Sequence, residues 1–102
     1  MNSGRYWLTK SAEKDLADIA KYTFETWGKE QLEIYRHRLE ERLALLVEFP
    51  ELGRNHPMLR GDFRYVVEGK HYIFYHRIGE DIEVLRFLHC RSDIISKLSA
   101  YL

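Results

Sequence analysis

The sequence predicts an α+β fold: an N-terminal strand, an antiparallel helical hairpin packed on a C-terminal antiparallel β-meander, and a short C-terminal helix. Three observations predict it. Apolar residues recur at three- and four-residue intervals between Ala12 and Leu46, which is the spacing of helices. From Phe63 onward the period switches to two, which is the spacing of strands. The links Trp27-Gly28, Gly69-Lys70 and Gly79-Glu80 are short, so the elements on either side must be antiparallel neighbours. Residues 1–102 read as a single domain, because two cores cut from a chain of 102 residues would each bury too little surface.

Taken in order, Arg5 to Leu8 is a short apolar-aromatic run that predicts a strand. Thr9 then stands at a helix N-cap, with Glu13 and Asp15 near the positive end of the helix dipole. Ala12, Leu16, Ile19, Ala20, Thr23 and Trp27 form one helical stripe. Gly28 is a residue that accepts positive φ at a helix end. A second helix runs from about Lys29 to Glu48, with Leu32, Tyr35, Leu39, Leu43 and Leu46 on one face. Phe49-Pro50 ends it, since proline disfavours helix at the residue before it. Glu51 to Gly61 reads as loop, and Phe63–Glu68, His71–Ile78 and Ile82–Leu88 as the three meander strands. Ile94, Ile95, Leu98 and Leu102 suggest a last short helix packing back. With the hairpin on one face of the sheet, the other face is expected to be solvated or used for binding.

Charge and cysteine content narrow the function. Sixteen basic residues balance sixteen acidic ones, so no global field draws the chain to nucleic acid or anionic lipid. No basic recognition helix is apparent, and direct nucleic-acid binding is not expected. A single cysteine, Cys90, excludes an internal disulfide and fits a reducing compartment. No apolar run approaches the roughly 20 residues of a membrane span, and the start of the chain lacks an apolar signal region. The expectation is a cytoplasmic protein with no membrane contact.

The side chains offer few chemical constellations. His71 and His76 are five apart on one strand and point to opposite faces, and Cys90 neighbours His89 where adjacent side chains diverge. No metal site and no cofactor are expected. Hydrolysis of RNA through its own 2′-hydroxyl needs an acid, a base and cations held together. His89 with Arg64 and Arg91, and Tyr75 or His71 as accessories, supply the types if Arg64 and His89 converge. The plainer reading is that His89 bonds locally to Arg91 or Asp93 and fixes the passage from last strand to last helix. Trp27 and Tyr35 likewise read more readily as hairpin packing than as a recognition patch. Arg54, Arg60 and Arg64 form a mildly basic series on the loop and the strand after it.

The order of these pieces resembles the ParE branch of the RelE/ParE toxin superfamily. The matching residues are Tyr6-Trp7-Leu8-Thr9, Ala12-x-x-Asp15-Leu16-x-x-Ile19, Tyr22-Thr23, Trp27-Gly28, Gln31-x-x-x-Tyr35, Pro50-x-x-Gly53-Arg54 and Arg64. They continue with Gly69-x-His71-x-Ile73-Phe74-Tyr75 and Leu85-x-x-Leu88-His89-x-Arg91-x-Asp93. Lys10 departs from the pattern, where proline commonly follows the capping threonine. The resemblance implies the toxin of a type II toxin–antitoxin pair, held by a ParD-type antitoxin. It implies action on DNA gyrase by binding rather than by catalysis, the RelE-like alternative being ribosome-dependent mRNA cleavage. A third alternative is a non-toxic member that only holds antitoxin. On that footing Arg64, His89, Arg91 and Asp93 are the expected target contacts. Arg54, Arg60, Tyr72, Phe74, Trp27 and Tyr35 are the expected antitoxin contacts, receiving a tail that folds on them.

Overall fold

The computed structural model describes residues 4–101. Strand β1 (Tyr6–Leu8) leads into helices α1 (Lys10–Trp27) and α2 (Lys29–Glu48). Strands β2 (Arg54–Asn55), β3 (Arg64–Glu68), β4 (His71–Ile78) and β5 (Asp81–His89) follow, then helix α3 (Ile94–Lys97) and a 3₁₀ turn, Ser99–Tyr101. The α+β architecture and the bounds of both long helices agree with the sequence reading. Gly28 makes the hairpin possible: at φ +91° it ends α1 and starts α2 with no residue between, a backbone that a side chain would strain.

The sheet order is β1-β5-β4-β3-β2. Strands β3, β4 and β5 form the expected meander. β1 lies parallel to β5, Tyr6 opposite Ile82 and Leu8 opposite Val84, so the sheet is mixed. A parallel partner needs a long crossover, and nearly the whole chain separates these two strands. β2 pairs with β3 inside the stretch read as loop. It is two residues long, too short for any periodicity to reveal.

Leu39, Leu43 and Leu46 of α2 and Ala12 of α1 pack on Val66, Ile73, Tyr75, Ile82, Val84 and Phe87 of the sheet. The opposite face is not open, contrary to the sequence expectation. There Phe74, Leu85 and Leu88 are buried with Leu98, against Leu59, Phe63, Tyr72 and Tyr101. The loop before β3 and the C-terminal segment cover that face because Leu98 and Leu59 bring apolar surface to it from far apart in sequence. Leu102, part of the expected last helix, lies outside the described residues.

Two clasps, each at least partly buried, hold the layers together. At the β4–β5 irregularity, two residues of β5 stand against one of β4, with Phe74 opposite Arg86 and Tyr75 opposite Val84. Asp15 accepts two bonds from the Arg86 guanidinium, at 2.6 and 2.8 Å, and one from the Phe87 N–H at 3.1 Å. Thr9 caps α1 by accepting from the Ala12 N–H and donates to the Leu85 carbonyl at 2.8 Å. The second clasp closes the end of α2. The Tyr75 hydroxyl donates to the Pro50 carbonyl and accepts from the Gly53 N–H, both at 2.8 Å. Arg64 donates to the Gly53 carbonyl at 2.8 Å.

A Cβ at Gly53 would overlap the Tyr75 hydroxyl and ring edge and come within 2.9 Å of the Tyr65 carbonyl. Tyr75 is fully buried and cannot step aside. Gly53→Ala is therefore expected to destabilise the fold by about 2–3 kcal/mol, the scale of overpacking, read by urea denaturation. A change below about 0.5 kcal/mol would contradict the clasp.

Candidate functional site

A groove of about 610 Å³ lies between the helical hairpin and the β3–β4 turn. It forms because α1 and the N-terminal half of α2 run past the end of the sheet, where no strand faces them. Tyr22 and Trp27 of α1 lie along one wall, Tyr35 and Arg38 of α2 along another, and Lys70, His71 and His89 close the sheet side. The Trp27 stripe that reads as core in the sequence is the same stripe as Ala12 and Leu16, carried beyond the sheet. Trp27 is accordingly 68% exposed and Tyr22 65%, a correction to the packing role expected of Trp27. A smaller cleft of about 310 Å³ lies between the helices on the other side of Tyr35, beside Leu16, Leu32 and Leu39.

The groove carries donors and acceptors together: Arg38 and Lys70 line it along with Asp18 and Gln31. The Tyr35 hydroxyl is buried and has no hydrogen-bond partner among the described residues. Burial, with Glu68 nearby, pushes its pKa up to about 12, so it remains a protonated donor. His71 and His89 face each other across β4 and β5, ring centroids 5.4 Å apart and edge to face. Burial first, and His89 second, lower the His71 pKa. His89 accepts the Arg91 N–H at its Nδ1, 3.0 Å away, which leaves Nε2 to carry the proton of the neutral ring. The nearby acids are occupied: Asp18 pairs with Lys14 at 3.3 Å and Glu68 with Arg42 at 3.3 Å.

The lowered His71 pKa sets a pH dependence. Below the ordinary value of 6.5 the unfolded chain binds a proton at this position that the folded chain resists. Stability is complete above that pH and falls as pH drops through it. Glu83, held below its ordinary 4.5 chiefly by its bond from His76, adds a second loss in more acid solution. Thermal melting between pH 8 and 5 is expected to show a falling midpoint that His71→Gln flattens. A midpoint independent of pH in the parent chain would refute this.

The remaining sequence candidates fall elsewhere. Arg64 and His89 lie on the same face of the sheet but at opposite ends. Arg64 is opposite Tyr75 and His89 opposite His71, four residues away along β4, roughly 13 Å. They do not converge, and Arg64 is occupied in the Gly53 clasp. Arg91 is exposed at the strand end. Asp93 caps α3 by accepting from the Ser96 N–H at 3.2 Å; the His89 ring accepts from the Arg91 N–H, and the His89 carbonyl accepts from the Ser92 N–H and hydroxyl. Phe74, expected as an antitoxin contact, is 1% exposed in the second core, so it cannot meet a partner. Tyr72 is half-buried beside it, edge to face with Tyr65 at 5.4 Å. Arg54 is exposed on the edge strand β2, and Arg60 donates to the Ala100 carbonyl at 3.4 Å, tying down the C-terminal turn.

Sequence reasoning missed Tyr22, Arg38 and Lys70. A signal was present for Arg38: Gln31, Tyr35 and Arg38 recur at four and three residues, one face of α2. Nothing in the sequence alone places Lys70 across from it.

Comparison with known proteins gives a consistent result. The family model described as ParE toxin of type II toxin-antitoxin system, parDE, matches residues 6–94. The chain is 36% identical to Toxin ParE1 of Caulobacter vibrioides over 84 residues, 82% of this chain and 86% of that protein. It is 34% identical to Toxin ParE1 of Mycobacterium tuberculosis over 93 residues, 90% and 95% of the two chains. Among solved structures, one described as a chromosomal ParDE TA system from P. aeruginosa superposes with a TM-score of 0.67 at 20% identity. It covers 87% of this chain and 96% of that one, a likeness of fold.

Proposed function

The chain belongs to the ParE toxin family of type II toxin–antitoxin systems, and from that membership we propose that it arrests growth by binding DNA gyrase and is neutralised by a ParD-type antitoxin. It acts as a shaped surface: gyrase is held at its cleaved-DNA step, and breaks accumulate through the target's own chemistry. His89 and Arg91 contact the target from the end of β5. Trp27 and Tyr35 contact the antitoxin, with Arg54 and Arg60 at the periphery. No helix among the described residues is long and apolar enough to cross a membrane.

The observation that carries action by binding is the separation of Arg64 from His89 along β4. A general acid or base acts within hydrogen-bond reach of the proton it moves; of the two cations that would stabilise a phosphorane, Arg64 is engaged at the far end of the sheet and Arg91 meets His89 through its backbone N–H. Zero net charge also ill suits residence in an rRNA-lined site. Expression of the chain alone is expected to stop growth. Co-expression with a ParD-type antitoxin is expected to restore growth and yield a co-purifying complex. Unimpeded growth would leave only an antitoxin-holding role, and a chain that remains unbound beside its antitoxin would refute the pairing.

A further inference from the structure

We propose that the turn after β5 presets the His89 ring as an Nε2–H donor that, together with the Arg91 guanidinium, reads a carboxylate of the target protein, and that Ser92 is the positioning residue of this device. This rests on the reading of the chain as a gyrase-binding toxin and specifies the chemistry by which the end of β5 meets its target.

The His89 ring is held from several sides. Its Nδ1 accepts the Arg91 N–H at 3.0 Å. Its carbonyl accepts both the Ser92 N–H and the Ser92 hydroxyl. Between them the Cys90 N–H donates to the Lys70 carbonyl at 2.8 Å, which ties this turn to the one joining β3 and β4. The His71 ring stands edge to face with His89, 5.4 Å away, and bounds it on the strand side. A neutral imidazole has one donor and one acceptor, and the bond made by one nitrogen fixes the role of the other. With Nδ1 engaged as acceptor, Nε2 carries the proton. The bonds that His89 makes in the turn use Nδ1 and the carbonyl, and the residue is exposed, so the Nε2–H is left for a partner.

Arg91, two residues on, is exposed and its side chain has no ion pair among the described residues. The acid nearest to it in sequence, Asp93, has Oδ1 engaged in capping α3. Asp18 and Gln31 line the groove with His89, and Asp18 is paired with Lys14. A carboxylate is the group that accepts from a ring N–H and a guanidinium together. Because the turn orients the donor beforehand, binding loses little entropy in ordering it. The local bond from Arg91 and the outward role of His89 are thus one arrangement.

DNA held by gyrase offers phosphate oxygens to the same two donors. The balance of the whole chain decides against that partner: sixteen acidic residues offset sixteen basic ones, and a polyanion is held by accumulated positive charge. A single carboxylate needs only the two donors of the turn.

The test uses antitoxin-free protein, purified gyrase and a short bare DNA duplex. The amide nitrogen of glutamine reaches the place of Nε2, and that of asparagine the place of Nδ1. His89→Asn is therefore expected to need at least about tenfold more protein than His89→Gln to halve supercoiling, the scale of one hydrogen bond to a charged group. Arg91→Gln is expected to weaken inhibition by a similar factor. Ser92→Ala is expected to weaken it severalfold at an unchanged melting temperature, and Ser92→Thr, which keeps the hydroxyl, to recover it. Equal inhibition by the Asn and Gln variants, a Ser92→Ala chain that inhibits like the parent, or binding of the parent to the bare duplex that His89→Asn abolishes would each overturn the assignment. Those results, in a parent chain that inhibits gyrase, would leave the proposed function standing; a parent chain that leaves supercoiling undiminished would remove the target and this inference with it.

Discussion

Asp15→Ala is expected to lower the stability of the fold by about 3 kcal/mol, the lower end of the cost of orphaning one partner of a buried ion pair, because the pair is partly buried and a backbone N–H is orphaned with it. The side chain does three things at once. It accepts two bonds from Arg86 and one from the Phe87 N–H at the point where β5 departs from regular register. Removing it strands a guanidinium whose side chain is only 21% exposed and a backbone donor in the middle of the sheet. Arg86 also donates to the Lys97 carbonyl, so the loss spreads to the C-terminal segment over the second core. Roughly 5–15 kcal/mol stabilises a domain of this size, and 1 kcal/mol moves the melting temperature by about 4–8 °C. The midpoint should therefore drop by about 12–24 °C in calorimetry. Asp15→Asn should cost less, because its carbonyl oxygen still receives the Phe87 N–H. A midpoint within about 3 °C of the parent would show that the Asp15–Arg86 pair is ornamental.

The second large effect lies at the groove. Tyr22→Ser combined with Trp27→Ser is expected to weaken the antitoxin complex by about a hundredfold or more, since exposed Tyr and Trp at an interface commonly contribute about 2 kcal/mol each. Both side chains are more than half exposed, and their loss opens no cavity in either core. The melting temperature of the free protein should hold or rise slightly, so a weakened complex cannot be ascribed to unfolding. Unchanged affinity would place the antitoxin on another surface, and the groove would then lose its assigned partner.

The contrast between these two substitutions shows what a sequence of this kind discloses. Helix ends were legible because the residues that set them act locally: Thr9 caps, Gly28 turns and Pro50 stops. The meander was legible because Gly69 and Gly79 punctuate a period of two. Long-range features were not. The parallel pairing of β1 with β5 depends on Tyr6 meeting Ile82, and nothing near either residue announces it. The second core is assembled from Leu59, Phe63, Leu98 and Tyr101, each a single apolar residue in an irregular stretch.

Function was read least well where a residue type has two uses. Arg64 carries a charge suited to phosphate, yet it holds the Gly53 carbonyl behind Tyr75. The pieces Pro50-x-x-Gly53 and Arg64, among those that carried the family resemblance, are thus one structural clasp. Trp27 continues an apolar stripe, yet the stripe outruns the sheet and presents it to solvent. Periodicity reports which residues share a face; it does not report where the opposing surface ends.

The measurement that tests the central claim most directly sets two activities of antitoxin-free protein side by side. One is DNA supercoiling by purified gyrase, with cleaved DNA trapped by detergent; the other is the integrity of messenger RNA on translating ribosomes. Action through a binding surface predicts loss of supercoiling, accumulation of gyrase-linked breaks and intact transcripts, with His89→Ala leaving the RNA unaffected. Codon-phased RNA cuts that disappear in His89→Ala, together with undiminished supercoiling, would contradict it.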